Sequence, residues 1–398
     1  MQIVKTLCIS ASFMAFFSSL HAQTLTNKPG SQYAFTEVYN LEETSIKDQC
    51  RTGTCWSYST LSMLESELIR TGNGSHDLSE MYVARCAYIE KAITYVRMGG
   101  KHQFDEGGEF HDIPYIIEKY GIVPESAYSG LKHGNTRHNH AEMMAALSAF
   151  VQAIAERPAG SLSPDWVLAV ERIVDAYLGD VPREFQYQGR SYTPQSFAAS
   201  LGLNMTDYVA ITSFTHHPYY RPFAIEVVDN WSMQTAYNVP LETLISCSKE
   251  ALKNGYSIAW ATDVSEKGFS YRDGLAIVPS HDSMVKKMGD DPKHFNSAGA
   301  ERISNAFQVP MPEKSINAEL RQGAFDRLET TDDHGMHITG LVHEAQSGDY
   351  FVVKNSWGEA NACGGYLYAS EAFFAYKTIC IMVHKDALSK ALKRDLGL

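Results

Sequence analysis

Two cysteines five residues apart stand in DQCRTGTCWSYS, Asp48–Ser59, with Gln49 before the first and Trp56 after the second. Sulfur placed this way can close a disulfide, bind a metal or attack a carbonyl carbon. The third chemistry needs a base to help make the thiolate and a donor for the oxyanion that forms. Cys55 opens a stretch in which Leu61, Leu64 and Leu68 fall at helical spacing and Gly72 can end the helix, which predicts a sulfur at or near a helix N-terminus. The positive end of the helix dipole favours the thiolate there. An imidazole and a group to orient it occur far along the chain, as His334 in DDHGMHITG and Asn355 in VVKNSWG. Gly348 and Asp349 between them can turn a hairpin that brings imidazole and amide into one site.

Other chemistries fit less well. His334, His337 and His343 cluster in sequence, but His-x-x-His lacks the i, i+4 spacing and the glutamate of a zinc peptidase helix, and the segment reads as strand. No metal or organic cofactor is expected. An odd offset in a strand puts His334 and His337 on opposite faces, so only one can face Asn355. GYSIA, Gly255–Ala259, lacks the last glycine of a serine-hydrolase elbow. Cys247, Cys363 and Cys380 read as plain cysteines.

These residues need elements to hold them. HDLSEMYVARCAYIEKAI and FHDIPYIIEKYG read as helices, the second ending at Gly121, with EGGEF as a turn between them. From about 131 to 205 the chain is helical again, with Ser163 as a cap, Pro164 at a first helical position and Gly179 as a stop. The later half alternates. YVAITSF, FAIEVV, YSIAWATDV and GLAIV read as strands, PLETLISCSKEALKNG as a helix, and DDHGMHITGLVHEAQSGDYFVVKNSWG, GGYLYAS and TICIMVHK as strands again. DALSKALKRDLGL reads as a short helix. A helical half thus carries Cys55, and a β-rich half carries the histidines.

Composition narrows the function. A net charge of −12 over 398 residues, without a basic run, speaks against nucleic-acid binding. Residues 1–22 carry Lys5, an apolar run to about Phe17 and small residues up to Ala22, the pattern of a secretory signal. The mature chain, 23–398, is then exported, periplasmic or extracellular. No other stretch approaches the roughly 18 apolar residues of a membrane span. Six cysteines remain in the mature chain, far from a disulfide-dense scaffold.

In this order the segments resemble the papain superfamily of cysteine peptidases: Gln49…Cys55-Trp56, then Asp333-His334-Gly335, then Asn355-Ser356-Trp357-Gly358. LSEMY, EGGEFHDIPYIIEKYGIVPES and VVDNWSMQTAYNVPLETL are similar to the bleomycin hydrolase or aminopeptidase C branch, over most of residues 41–386. The resemblance implies an α+β, papain-like two-lobe fold, a helical lobe plus a β-barrel lobe, with a helical insertion at about 131–205 and the active site between the lobes. It implies Cys55 as nucleophile and His334 as base and then acid. Asn355 would orient the imidazole, with Trp357 shielding that hydrogen bond. The Gln49 amide and the Cys55 N–H would form the oxyanion hole, and Gly107 and Gly108 would offer bare backbone to an extended peptide. Thr52 stands where the papain branch has a cysteine. A bridge from the loop before the nucleophile to the helix after it is familiar in the superfamily, so a Cys50–Cys86 bridge stays open. His334 and Asn355 follow Cys55 by 279 and 300 residues, against about 130–150 in papain-like enzymes.

The implied activity is thiol-dependent peptide hydrolysis, aminopeptidase-like, because in this branch the chain's own C-terminal arm enters the cleft and meets the substrate amine. The branch's proline-containing arm has no counterpart after TICIMVHK. An open-cleft endopeptidase is the first alternative, beside a thiol acyltransferase or amidase and a catalytically silent binding protein. The branch also implies a hexameric ring, to which the segment 131–205 lends little support.

Overall fold

A computed structural model describes residues 25–157, 160–281, 285–288 and 301–398; the predicted signal segment lies outside these. Helix α1 (Cys55–Arg70) is buried on nearly every side rather than along one stripe. Most of its polar residues go under cover because they find partners, although the Ser66 hydroxyl has none. Ser57 donates to the Glu80 carbonyl, Thr60 to the Trp56 carbonyl, and the Glu65 carboxylate accepts the Leu78 N–H. Around α1 pack α2 (Glu80–Arg97), whose cap Ser79 accepts the Tyr82 N–H, and α3 (Asp112–Tyr120), closed by Gly121 at φ 79°. α4 (Ala141–Ala155), α5 (Asp165–Leu178) and α6 (Pro194–Ser200) follow. Pro164 is the cap of α5 rather than its first turn, and Ser163 Oγ accepts the Asp165 N–H. The segment expected as an insertion packs into the same core as α1 and α2, through Met143, Leu147, Val170, Val174 and Phe197.

The β-rich half is one mixed sheet of 11 strands. Its centre contains β1 (Phe35–Asn40), β2 (Tyr208–Thr212), β3 (Ile258–Thr262), β4 (His334–Glu344), β5 (Gly348–Lys354), β6 (Tyr366–Ser370) and β7 (Thr378–His384). The order is β2-β7-β3-β4-β5-β6, with β1 also pairing with β4. Every pair among these strands is antiparallel. β4 and β5 form the expected hairpin, which carries His334 at one end and delivers the chain to Asn355 at the other. α7 (Leu241–Lys253), α8 (Ala318–Asp326), α9 (Glu371–Lys377) and α10 (Lys390–Leu396) flank the sheet.

Some expectations change. FAIEVV is not a strand: only Arg221–Phe223 pairs, and the Asn230 side chain binds the Ile225 carbonyl where a ladder partner would be. GLAIV shrinks to Leu275–Ala276.

The alternation along β3 explains how the halves meet. Ile258 and Trp260 enter the core of the β lobe, while Ala259 and Ala261 face the helical core. Both faces are covered, so the strand reads as an unbroken apolar run. Small residues line the face turned to α1. On β4 that residue is Gly335, where a Cβ would lie 2.9 Å from Ser59 Oγ, 3.0 Å from the Phe110 ring and 3.4 Å from Trp56 Cα. Helix and strand therefore approach with no room for a methyl group.

Candidate active site

The loop before α1 is tied to the segment after β5. Gln49 N–H donates to the Ser356 carbonyl at 2.9 Å, and Gly358 N–H to Lys47 at 3.1 Å. Cys50 takes a left-handed φ of 58°, with its N–H held by Asp48 Oδ1 at 2.8 Å. This turn aims the Gln49 side chain inward. Its Oε1 accepts the Ser356 hydroxyl at 2.7 Å, and its Nε2 donates to the Thr52 carbonyl at 2.7 Å. The second N–H of that amide is left over. α1 begins at Cys55 without a side-chain cap; Ser57 N–H bonds the Thr54 carbonyl at 2.9 Å, which leaves the Cys55 N–H available as a donor. The backbone N–H groups of Gly335 and Trp56 point at the Cys55 sulfur.

His334 is buried. Its Nε2 lies 2.7 Å from Asn355 Oδ1, and that oxygen also accepts the Ser356 N–H at 2.8 Å. Two donors on one atom identify Asn355 Oδ1 as the acceptor. His334 Nε2 therefore carries the proton, and Nδ1 is the unprotonated nitrogen. The Trp357 ring lies 4.5 Å from the imidazole at 30°, covering the bond. Cys55 and His334 line one cleft of about 150 Å³ with Trp56, Gly107 and Gly108.

The other histidines go elsewhere. His337 faces α1, where its Nδ1 meets Ser62 Oγ at 2.9 Å and Lys354 Nζ donates to the same hydroxyl at 2.8 Å. Burial holds its pKa well below the ordinary value. His343 bonds Asp349 at the surface. Among the described residues one group, His216, His217 and Glu226, brings potential metal-ligand atoms within 4.8 Å of one another. Gln322 Oε1 is held by the Thr215 N–H, so its Nε2 donates to His216 Nδ1. The proton then sits on His216 Nε2 and goes to Glu226, which favours a hydrogen-bonded trio over a metal-ready tautomer.

The glycine pair lines the cleft, but the space beside it is taken. A Cβ on Gly107 would meet the Asp229 carboxylate at 2.0 Å, and one on Gly108 the Trp56 indole at 2.9 Å. The flanking glutamates act too. Glu106 accepts the Gly53 N–H at 2.6 Å, and its carbonyl accepts the Trp56 indole N–H at 3.1 Å. Burial pushes its carboxyl up to about 7. Glu109, Asp229 and Asp332 line the same cleft. Their charges were visible in EGGEF, VVDNWS and DDHGM, but not their convergence.

The electrostatics differ from the helix-dipole expectation. Burial, with Asp332 and Asp229 nearby, pushes the Cys55 thiol up to about 12, so the resting group is the thiol. No Cys50–Cys86 bridge forms, and all six cysteines among the described residues are free. Cys50 Sγ lies against the Asp48 carbonyl, and Cys86 is in the helical core. No helix among the described residues is long and apolar enough to cross a membrane. Residues 390–398 do not line the cleft; Leu392 and Leu396 are docked in the core of the β lobe.

A sequence model of the Peptidase C1-like family matches residues 95–397, a span that includes His334 and Asn355 but not Cys55. Aminopeptidase E of Lactobacillus helveticus is 21% identical over 91% of this chain and 86% of its own length. Bleomycin hydrolase of Mus musculus is 23% identical over 89% of this chain and 83% of its own. The crystal structure of PepW from Lactobacillus rhamnosis superposes with a TM-score of 0.66 at 19% identity, covering 91% of this chain and 84% of that one.

Proposed function

The chain belongs to the Peptidase C1-like family, and from that premise we propose that it is an exported thiol aminopeptidase working through Cys55, His334 and Asn355. The observation that carries this reading is the 2.7 Å bond from His334 Nε2 to Asn355 Oδ1, in the cleft that Cys55 also lines. His334 Nδ1 takes the thiol proton as the sulfur attacks a peptide carbonyl, then gives it to the leaving amine. Asn355 keeps the proton on the far nitrogen. The thioester is then hydrolysed by water with the same base.

The oxyanion of each tetrahedral intermediate meets the Cys55 N–H and the remaining N–H of Gln49. Both are neutral donors that stabilise charge without giving up a proton. The curated relatives are named aminopeptidases and bleomycin hydrolase, which supports action on peptides from the N-terminus. Export rests on the pattern of residues 1–22, and a mature N-terminus read by mass spectrometry tests it. Incubation of an unblocked peptide with wild type and Cys55→Ala tests the chemistry. Sequential loss of N-terminal residues that stops in the variant is expected. Equal hydrolysis by both proteins refutes the assignment.

A further inference from the structure

The cleft beside Cys55 holds a chemistry that attack on a carbonyl does not use. Glu109, Asp229 and Asp332 come from three separate segments and converge on it. Glu109 is 3% exposed, and its Oε1 has no hydrogen-bond partner. Its other oxygen meets the weak donor of Cys380, at 3.7 Å, and its carboxyl also shares a hydrogen bond with that of Asp332. The groups that act on Asp229 and Asp332 include no backbone or amide N–H. The cation nearest Asp229, Lys91, turns its ammonium to the carbonyls of Asp105 and Gly107.

Carboxyls taken from water and left without N–H donors hold on to their protons, Glu109 most of all, until something supplies positive charge. Asp229 also lies over Gly107, on the wall where bare backbone would otherwise be open to a peptide.

We propose that Glu109, Asp229 and Asp332 form a subsite for a primary ammonium group of the peptide substrate, which rests on the peptidase reading above. The cleft itself favours that ligand. The oxygens of the three do not all lie within 4.8 Å of one another, at the outer edge of what metal–oxygen bonds of about 2.3–2.6 Å can bridge. N–H···O bonds of about 2.7–3.2 Å reach further, and an ammonium has three donors to share. No residue of 390–398 is at hand to supply a further carboxylate. The subsite also acts on the chemistry. Asp332 and Asp229 oppose ionisation of Cys55, so an arriving ammonium removes that opposition as the substrate binds. An α-ammonium and a lysine side chain offer the same group, and substrates can separate them.

The test compares kcat/KM for three coumarylamides: leucyl with a free amine, N-acetyl-leucyl, and N-acetyl-lysyl-leucyl. Each is measured with wild type, Asp229→Asn and Asp332→Asn. One ammonium-bearing substrate should exceed N-acetyl-leucyl by at least about 100-fold, and each variant should cut that ratio at least tenfold, mainly through KM. Preference for the free leucyl compound assigns the α-ammonium; preference for the lysyl compound assigns the side chain. Equal kcat/KM for all three in wild type overturns the subsite and leaves the peptidase standing. Binding of leucinamide against N-acetyl-leucinamide to Cys55→Ala, followed by calorimetry, reads the subsite without turnover. Tighter binding of leucinamide supports it even if no coumarylamide is cut or a variant fails to fold, and equal binding overturns it.

Discussion

Gly335→Ala places one methyl group where α1 and β4 leave no space. The added carbon would sit 2.9 Å from Ser59 Oγ and 3.0 Å from the Phe110 ring, with Trp56 Cα behind them at 3.4 Å. Overpacking of this kind costs about 1–3 kcal/mol. The cheapest relief is rotation of the Ser59 hydroxyl, which now donates to the Cys55 carbonyl at 2.7 Å; losing that bond costs about 1 kcal/mol. A total of about 2–4 kcal/mol follows. Activity should fall further than stability suggests, because Gly335 follows His334 and its N–H points at the Cys55 sulfur. A displacement of about 1 Å between reacting groups can cost about 100-fold. Urea unfolding with an unchanged slope would read the first number, and kcat/KM on an unblocked peptide the second. Combining the change with Ser59→Ala removes the closest clash, and the pair should recover about 1 kcal/mol relative to additivity. A Gly335→Ala protein with wild-type stability and turnover would refute the tight seam. A loss that Ser59→Ala does not moderate would place the strain elsewhere.

His334→Ala should lose about three to four orders of magnitude in kcat, Asn355→Ala less, and His337→Ala least, since His337 bonds Ser62 rather than the cleft; the reverse order of the histidines would assign the base wrongly. Deleting Lys393–Leu398 removes Leu396 from the core of the β lobe, so it should cost about 1–3 kcal/mol in thermal or urea unfolding and leave the ratio of free to N-blocked cleavage unchanged. Burial and Asp229 raise Asp332 to about 7, so preference for a free amine should grow as pH rises through about 7 and fade above about 8 as the α-amine deprotonates; a flat ratio from pH 5 to 8 counts against it. In unfolding the sign is opposite: the protonated Asp332 favours the folded state below its unfolded value, and that stability is lost as pH rises through about 7. Asp332→Asn should flatten this part of the stability curve.

The helix start at Cys55 and the hairpin joining His334 to Asn355 were legible because local pattern decides both. The opposite faces of His334 and His337 followed from strand periodicity alone. FAIEVV misled because its apolar alternation satisfies a strand, while Asn230, outside the run, supplies the bonds that bend it away. The stripe of Leu61, Leu64 and Leu68 marks one apolar face of a helix and leaves its other faces unspecified. Only the partners of Ser57, Thr60 and Glu65, distant in sequence, bury the other faces. The glycine pair was read as bare backbone, and Asp229, some 120 residues on, changes what lies over it. The high proton affinity of Cys55 was hidden for the same reason. A helix dipole is local, whereas the carboxylates opposing it arrive from other segments.

The acidic lining of the cleft acts on molecules that have not yet touched it. A concave site of one charge sign with low-dielectric walls focuses its field outward, and can change arrival rates by about 10- to 1000-fold. The net charge of −12 adds to that field rather than cancelling it. Above about pH 7, where Glu106 and Asp332 ionise, acidic chain ends should arrive more slowly than basic ones. At about 0.15 M salt the field reaches only about 8 Å. Raising ionic strength should therefore level the capture rates of basic and acidic peptides, while the turnover of a peptide already seated beside Cys55 stays the same.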